Sequence, residues 1–190
     1  MGTVANITTG PSNIFIAPYT GTFPSFSGSP TDFTGAGFTL PGFTQDGIEW
    51  DYTPTWKDIM VDEKLSPAKK LITAHKLVVT AKLAETTLQN LYYAIAAATF
   101  NGTDTVTVGS VQQAPEFTLG WMGACPGFPQ GTRQAILYRV VSIASTKAHY
   151  QRKDMAIFNI QFEALDESSQ AIAADLATYQ DFPGTPFVLS

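Results

Sequence analysis

Between Gly47 and Glu85 the chain twice adopts a hydrophobic period of two. Ile48, Trp50 and Tyr52 fall on one face and Glu49, Asp51 and Thr53 on the other, the pattern of a half-buried strand. Leu71 to Glu85 repeats it over a longer run, with Leu77, Val79, Ala81 and Leu83 on one face and Lys76, Thr80 and Lys82 opposite. The period then changes. Leu88, Leu91, Tyr92 and Ile95 fall at i, i+3, i+4 and i+7, one stripe of a helix predicted over residues 87–98. Thr86 and Gln89 have the spacing of a capping box at its start, and Asn101-Gly102 offers a left-handed stop beyond its end.

The flanks add further strands. Asn13–Ala17 is one, set in an opening segment rich in Gly, Pro, Ser, Thr and Phe. Others are predicted over Asp104–Val111, Glu116–Met122, Ala135–Ala148 and Met155–Leu165. In the last, Ala156, Phe158, Ile160, Phe162 and Ala164 share one face, and Ile157, Asn159, Gln161 and Glu163 the other. After Asp166 the pattern weakens to a marginal helix over SSQAIAADLATYQ and an irregular tail, DFPGTPFVLS. The fold class that follows is mainly β: an antiparallel β-sandwich or barrel with one packed helix and extended arms. The expected organisation is an N-terminal arm with the first strand (1–43), a β domain (44–165) and a C-terminal arm (166–190). Phe15, Phe23, Phe26, Phe33, Phe38 and Phe43 are too many for a freely solvated arm. Each gains on the order of 1.5–3 kcal/mol when buried, so the arm is expected to lie over a surface, more often its own core than a neighbour's.

The segment Pro54–Lys70 does not fit one period. Lys57, Asp58, Asp62, Glu63, Lys64, Lys69 and Lys70 alternate in sign, the usual mark of a solvated face, but Trp56, Ile59, Met60, Val61 and Leu65 interrupt them. Large apolar groups interleaved with charges suit a contact between subunits, with Trp56, Ile59 and Met60 central and Lys57, Asp58, Asp62 and Glu63 at a polar rim.

Composition narrows the function. Only 14% of residues are charged, against roughly a quarter in an average domain, so much of the surface has little to keep it solvated. A net charge of −5 argues against tight wrapping of nucleic acid, which needs clustered Lys and Arg. A single cysteine, Cys125, excludes an intramolecular disulfide framework and is expected to pack as a small apolar residue. MGTVANITTG lacks a basic and an apolar signal region, and no apolar run approaches a membrane span, so folding in the cytosol is expected.

No nucleophile elbow, phosphate loop, dinucleotide fingerprint or zinc-protease motif is present, so no enzymatic activity and no cofactor are expected. His75 and His149 supply half a tetrahedral zinc site at most, so no metal is expected. Asp62-Glu63 and Asp166-Glu167 read as exposed charge, since adjacent strand residues point to opposite faces. Lys147, His149, Arg152 and Lys153 read as a solvated turn between the last two strands. Trp50, Trp56 and Trp121 would suit a carbohydrate-stacking platform, although aromatics at strand positions are more often core or subunit contact.

The order of these segments resembles the major tail tube protein of long-tailed bacteriophages. The residues that carry the likeness are GFTQDGIEWDY, the DIMVDEKLSP of the arm, and LVVTAKLAETTLQNLYYAI. NIFIAPYTGTFP upstream and AILYRVVSIASTKAHYQRKDMAIFNIQFEALDESS downstream are similar to the opening segment and closing hairpin of that family, so the likeness runs from Asn13 to Ser168. It implies a virion protein, made in the host cytoplasm, that forms hexameric rings stacked into a hollow tail tube for genome delivery. Its partners would be copies of itself, a tape-measure protein, a tail terminator, and DNA passing without specific binding. The loop Trp56, Lys57, Asp58, Ile59, Met60, Asp62, Glu63 and Lys64 would reach the adjacent ring. Candidates for the channel wall are the polar strand positions Glu49, Asp51, Lys76, Lys82, Asn159, Gln161 and Glu163, three acids against two bases. The alternative is a carbohydrate-binding β-sandwich module, which accounts for the aromatics but not for the Pro54–Lys70 arm.

Overall fold

The computed structural model describes residues 12–24, 33–60, 66–109, 113–125, 131–144, 157–167 and 176–183. Along these residues the chain forms β1 (Ser12–Pro18), β2 (Thr44–Tyr52), β3 (Thr55–Ile59), β4 (Lys69–Ala74), β5 (Leu77–Leu83), α1 (Leu88–Tyr93) and β6 (Ala98–Phe100). There follow β7 (Val106–Val108), β8 (Glu116–Ala124), β9 (Thr132–Ser142), β10 (Phe158–Ala164) and β11 (Ala177–Phe182). Every strand pairing is antiparallel. The protein is mainly β and sandwich-like, with one short helix among the described residues, as the alternating patterns predict.

The principal sheet runs β1-β8-β9-β10-β5-β2, with β11 added to β9. The long strand β9 is its branch point. Its second half, Val140–Ser142, pairs with β10, while its first half, Thr132–Leu137, pairs with β11. The β10-β5-β2 branch therefore curls across from β8, β9 and β11, and their inner faces enclose the core. Phe158, Ile160 and Phe162 of β10, Leu77, Val79 and Leu83 of β5, and Phe117 and Leu119 of β8 are buried there. The predicted inward faces of β5 and β10 are thus the observed ones. Strand β2 reaches its place through a two-residue bulge, Asp46-Gly47, between the pairs Gln45–Lys82 and Ile48–Ala81. Both bulge residues have positive φ, 66° and 79°, which Gly tolerates and Asp adopts more readily than most residues.

A second apolar layer covers the outer face of β1, β8 and β9. Phe15, Phe33, Phe38, Ile136 and Tyr138 are buried in it, with Phe23 partly buried at its margin. Phe33 stacks on Phe15 at 5.1 Å and meets Phe38 edge-on at 5.2 Å. The approach requires Gly120, because a Cβ there would lie 2.6 Å from the Phe33 ring. The N-terminal phenylalanines thus fold onto this chain's own sheet, except Phe43, which stays 78% exposed; Phe26 lies outside the described residues.

Several local expectations need correction. The helix is six residues long rather than twelve, and its phase differs. Asn90 and Tyr93 face inward, Leu91 and Tyr92 are partly buried, and Leu88 is 42% exposed. Polar demand sets this rotation: the Asn90 amide donates to the carbonyls of Pro41 and Glu85, both at 2.8 Å. The cap is Thr87, whose hydroxyl accepts from the Asn90 N–H at 3.1 Å, while Gln89 donates to the Tyr93 hydroxyl instead of closing a capping box. Asn101-Gly102 does not end the helix. It turns the β6–β7 hairpin, with the Asn101 side-chain oxygen accepting the N–H groups of Thr103, Asp104 and Thr105. The strand expected over Leu71–Glu85 is interrupted at His75-Lys76, and of that expected over Asp104–Val111 the described residues place Val106–Val108 in β7, residues 110 and 111 lying outside them. Where a marginal helix and an irregular tail were expected, Ala177–Phe182 is a strand, because the open edge of β9 offers it a full ladder.

The corrected helix phase makes a measurable difference. Asn90→Ala leaves the buried Pro41 carbonyl and the partly buried Glu85 carbonyl without this donor and should cost about 1–3 kcal/mol. Leu88→Ala, at an exposed position, should stay within about 0.5 kcal/mol of the parent. Urea denaturation of the two variants distinguishes this arrangement from the sequence-predicted stripe, which orders them the other way.

Candidate functional site

Three surfaces carry the residues singled out by sequence. The first is a projecting ribbon. Strands β2 and β5 continue past the sheet, Thr53 and Lys76 exchanging backbone hydrogen bonds at 2.7 and 3.2 Å, and the ladder resumes as β3 and β4. Every residue of β3 and β4 is exposed, on both faces. Trp56 stands opposite Ile72, and Lys57 opposite Leu71. Beside the first pair, Asp58 and Lys70 form an ion pair at 3.2 Å. Trp56, Ile59, Met60, Leu71 and Ile72 are all more than a third exposed, an apolar load that a solvated ribbon has no use for. A two-stranded ribbon without a third strand or a packed face is marginal in water. Lys57, Asp58 and Ile59 lie in β3 and Met60 just beyond it; Val61, Asp62, Glu63, Lys64 and Leu65 are outside the described residues.

The second surface is the outer face of β10-β5-β2. Its register aligns Glu49 with Thr80 and Gln161, and Asp51 with Val78 and Glu163, while Lys82 stands between Gln45 and Asn159. Six of the predicted polar positions thus share one sheet face, and Lys76 joins it by an ion pair to Glu163 at 3.5 Å. Lys82 pairs with Asp46 of the bulge at 2.8 Å. Both cations are matched, while Glu49 and Asp51 have no ion pair among the described residues. The face is therefore polar and slightly acidic.

The third surface was only partly foreseen. Where the branches diverge, Trp50 of β2 meets Tyr179 of β11, ring centroids 5.7 Å apart. A cavity of about 260 Å³ on one side is lined by Tyr52, His75 and Leu77 with these rings. One of about 400 Å³ on the other side is lined by Arg133, Gln180 and Asp181. The Tyr52 hydroxyl lies 2.6 Å from His75 Nδ1 and the rings stack. Arg133 grips Asp181 with two parallel bonds, Nε–Oδ1 at 2.6 Å and Nη2–Oδ2 at 2.8 Å. That pair holds the Asp181 carboxyl below its ordinary range and raises the Arg133 guanidinium. Cys125 is buried nearby, as expected of a small apolar residue, and burial, with the Asp181 charge adding, pushes its thiol up.

One acidic residue departs from its expected exposure. Glu167 is 3% exposed and accepts the Tyr19 hydroxyl proton in a hydrogen bond. The carboxylate acceptor lifts the Tyr19 phenol above its ordinary value. Arg139 lies over the Tyr19 ring and grips Glu116 with two bonds, at 2.9 and 2.7 Å. Asp62-Glu63, His149 and the basic residues Lys147 to Lys153 lie outside the described residues.

No three His, Cys, Asp or Glu side chains among the described residues are grouped to hold a metal. No described helix is long and apolar enough to cross a membrane. The chain matches no protein-family model and no curated protein sequence.

The Arg133–Asp181 pair generates a pH prediction. A carboxyl depressed in the folded state contributes stability above its unfolded pKa of about 3.9, and loses it as pH falls through the lower folded value. Asp181→Asn should therefore reduce stability at neutral pH and flatten its decline below about pH 4. Thermal unfolding from pH 7 to pH 2 measures both; parallel curves for parent and variant would remove the pair from the acid response.

Proposed function

We propose that this chain is a structural subunit that assembles with copies of itself into stacked rings, the tube of a bacteriophage tail, through whose channel DNA passes. The observation that carries the reading is the β3–β4 ribbon. It projects from a well-packed sandwich, exposes its large apolar residues, and among the described residues has no third strand or covering layer to stabilise it. A surface of that kind is economical only if another copy covers it. The family resemblance of GFTQDGIEWDY, DIMVDEKLSP and LVVTAKLAETTLQNLYYAI supplies the hexameric ring and the tube, and with them a tape-measure protein and a tail terminator as partners. The outer edge of β2, which pairs with no other strand among the described residues, supports self-association as well, since an unpaired edge strand is a template for another chain.

In this reading the mechanism is physical. Rings close because a rotational interface is heterologous, and stacking extends them into a filament. The outer face of β10-β5-β2 suits the channel wall: its cations are already matched by Glu163 and Asp46, which leaves Glu49 and Asp51 to repel phosphate weakly. DNA would slide without adhering.

Two experiments test the reading. Electron microscopy of the purified protein should show rings or tubes, and amide exchange in the β3–β4 ribbon should fall sharply on assembly while β5 changes less. A chain that stays monomeric at every concentration, or a ribbon already protected in the monomer, overturns the assembly role. Separately, Glu49→Lys, Asp51→Lys and Glu163→Lys together should leave rings assembling but slow DNA release, with added salt relieving the defect. Release unchanged at low and high salt removes these residues from the DNA path.

A further inference from the structure

The cleft between β2 and β11 is not explained by the ribbon or by the polar face. Trp50 and Tyr179 are 56% and 42% exposed although both sit on the inner faces of their strands. Inward-facing aromatics of a sandwich are ordinarily covered; here the diverging branches leave their rings open. Beneath them Ile48, Val79, Trp121, Ala135 and Leu137 form an apolar floor that encloses a small cavity of about 80 Å³. Flat apolar rings held at a surface with hydrogen-bonding groups at both ends are what a binding site for a small amphipathic ligand requires.

We propose that this cleft binds a neutral oligosaccharide of pyranose units, stacked on Trp50 and Tyr179. A pyranose ring has one face of C–H bonds that matches an aromatic plane and an equatorial rim of hydroxyls that needs directed donors and acceptors. The two ends of the cleft supply them. Arg133 uses Nε and Nη2 on Asp181, which leaves its remaining N–H groups as donors for adjacent hydroxyls, while the carboxylate, which also accepts from the Cys125 thiol, keeps a lone pair as acceptor. At the other end the Tyr52–His75 bond fixes a hydroxyl and a ring nitrogen side by side, and leaves His75 Nε2 for a ligand. Neutrality of the ligand follows from charge: the guanidinium is matched by Asp181, and the chain as a whole is acidic at −5, so a polyanion gains nothing here. The space on either side of the ring pair, about 260 and 400 Å³, takes a sugar unit each. This site goes beyond the tube reading and does not depend on it; the strand face that bears Trp50 is the reverse of the one proposed to face DNA.

The test uses the full chain, assembled and unassembled, with maltoheptaose, cellohexaose and chitohexaose as probes. Saturation-transfer NMR and tryptophan fluorescence should show saturable binding of at least one of the three, with transfer to the C–H face of the sugar. Trp50→Ala and Tyr179→Ala should each weaken it by about tenfold or more. Phe43→Ala, which removes an exposed ring outside both the cleft and the ribbon, should leave it unchanged. Trp50→Phe keeps a ring and guards against loss of fold: it should retain weakened binding with an unaltered circular dichroism spectrum. Absence of saturable binding of all three probes by the parent protein overturns the proposal, as does full affinity in Trp50→Ala. If no probe binds and Trp50→Ala instead abolishes self-association, the cleft is a contact between copies and the proposal is likewise overturned, whereas failure of tube assembly with binding intact would overturn only the structural reading.

Discussion

A strand has two edges, and β9 must serve three neighbours. Strand β8 takes one edge throughout, while β10 and β11 divide the other between Val140–Ser142 and Thr132–Leu137. The two strands leave that edge at successive positions, and β10 goes on to pair with β5 while β11 does not, so the sheet branches there. From that split come the two facing layers, the enclosed core of Phe117, Phe158, Ile160 and Phe162, and the open cleft where Trp50 meets Tyr179. The bend is local and visible in the ladder, where the β8–β9 register shifts between Phe117 and Leu119. A bulge at a corner is how strands pass from one layer to another.

The energetic contrast between the sandwich and the ribbon follows from the same geometry. Strands β5 and β10 are each paired on both edges and buried on one face, so each backbone hydrogen bond is supported by a packed side chain below it. Strands β3 and β4 are the same chain segments carried beyond the last neighbour, with hydrogen bonds to each other and no described residue packed underneath. Local opening is cheap where apolar contacts are few, so the ribbon belongs to the low-stability end of the molecule by construction. Trp56 and Ile72 gain little by facing one another across it in water.

Alternation made the main sheet legible. In β5 and β10 large apolar residues occupy every second position, and the same count that assigned Val79 and Phe162 inward assigned Lys82 and Gln161 outward. The polar face was therefore readable as far as each strand went, although only the register shows that Glu49, Thr80 and Gln161 align. The helix phase was not readable, because Asn90 turns inward to satisfy the Pro41 carbonyl, 49 residues away. Strand β11 was hidden for a similar reason: Ala177-Thr178-Tyr179-Gln180 has no strong period, and its conformation is imposed by the free edge of β9. The cleft needed both facts, since Trp50 and Tyr179 are 129 residues apart, the difference of their positions. Glu167 gave no local sign of burial at all; its partner Tyr19 lies 148 residues upstream.

The placement of exposed apolar groups separates two physical problems. On the ribbon they stand on both faces of a thin element, so covering them requires a partner that surrounds or flanks the ribbon, and the gain grows with the area covered. In the cleft they are two rings above an apolar floor that includes Trp121, Ala135 and Leu137, with open space on either side of them. A large partner would have to order its own loops to enter a space of this width. The polar face of β10-β5-β2 differs from both: among the described residues its two cations, Lys76 and Lys82, are already matched by Glu163 and Asp46, so its charge is spent within the face rather than offered to a partner.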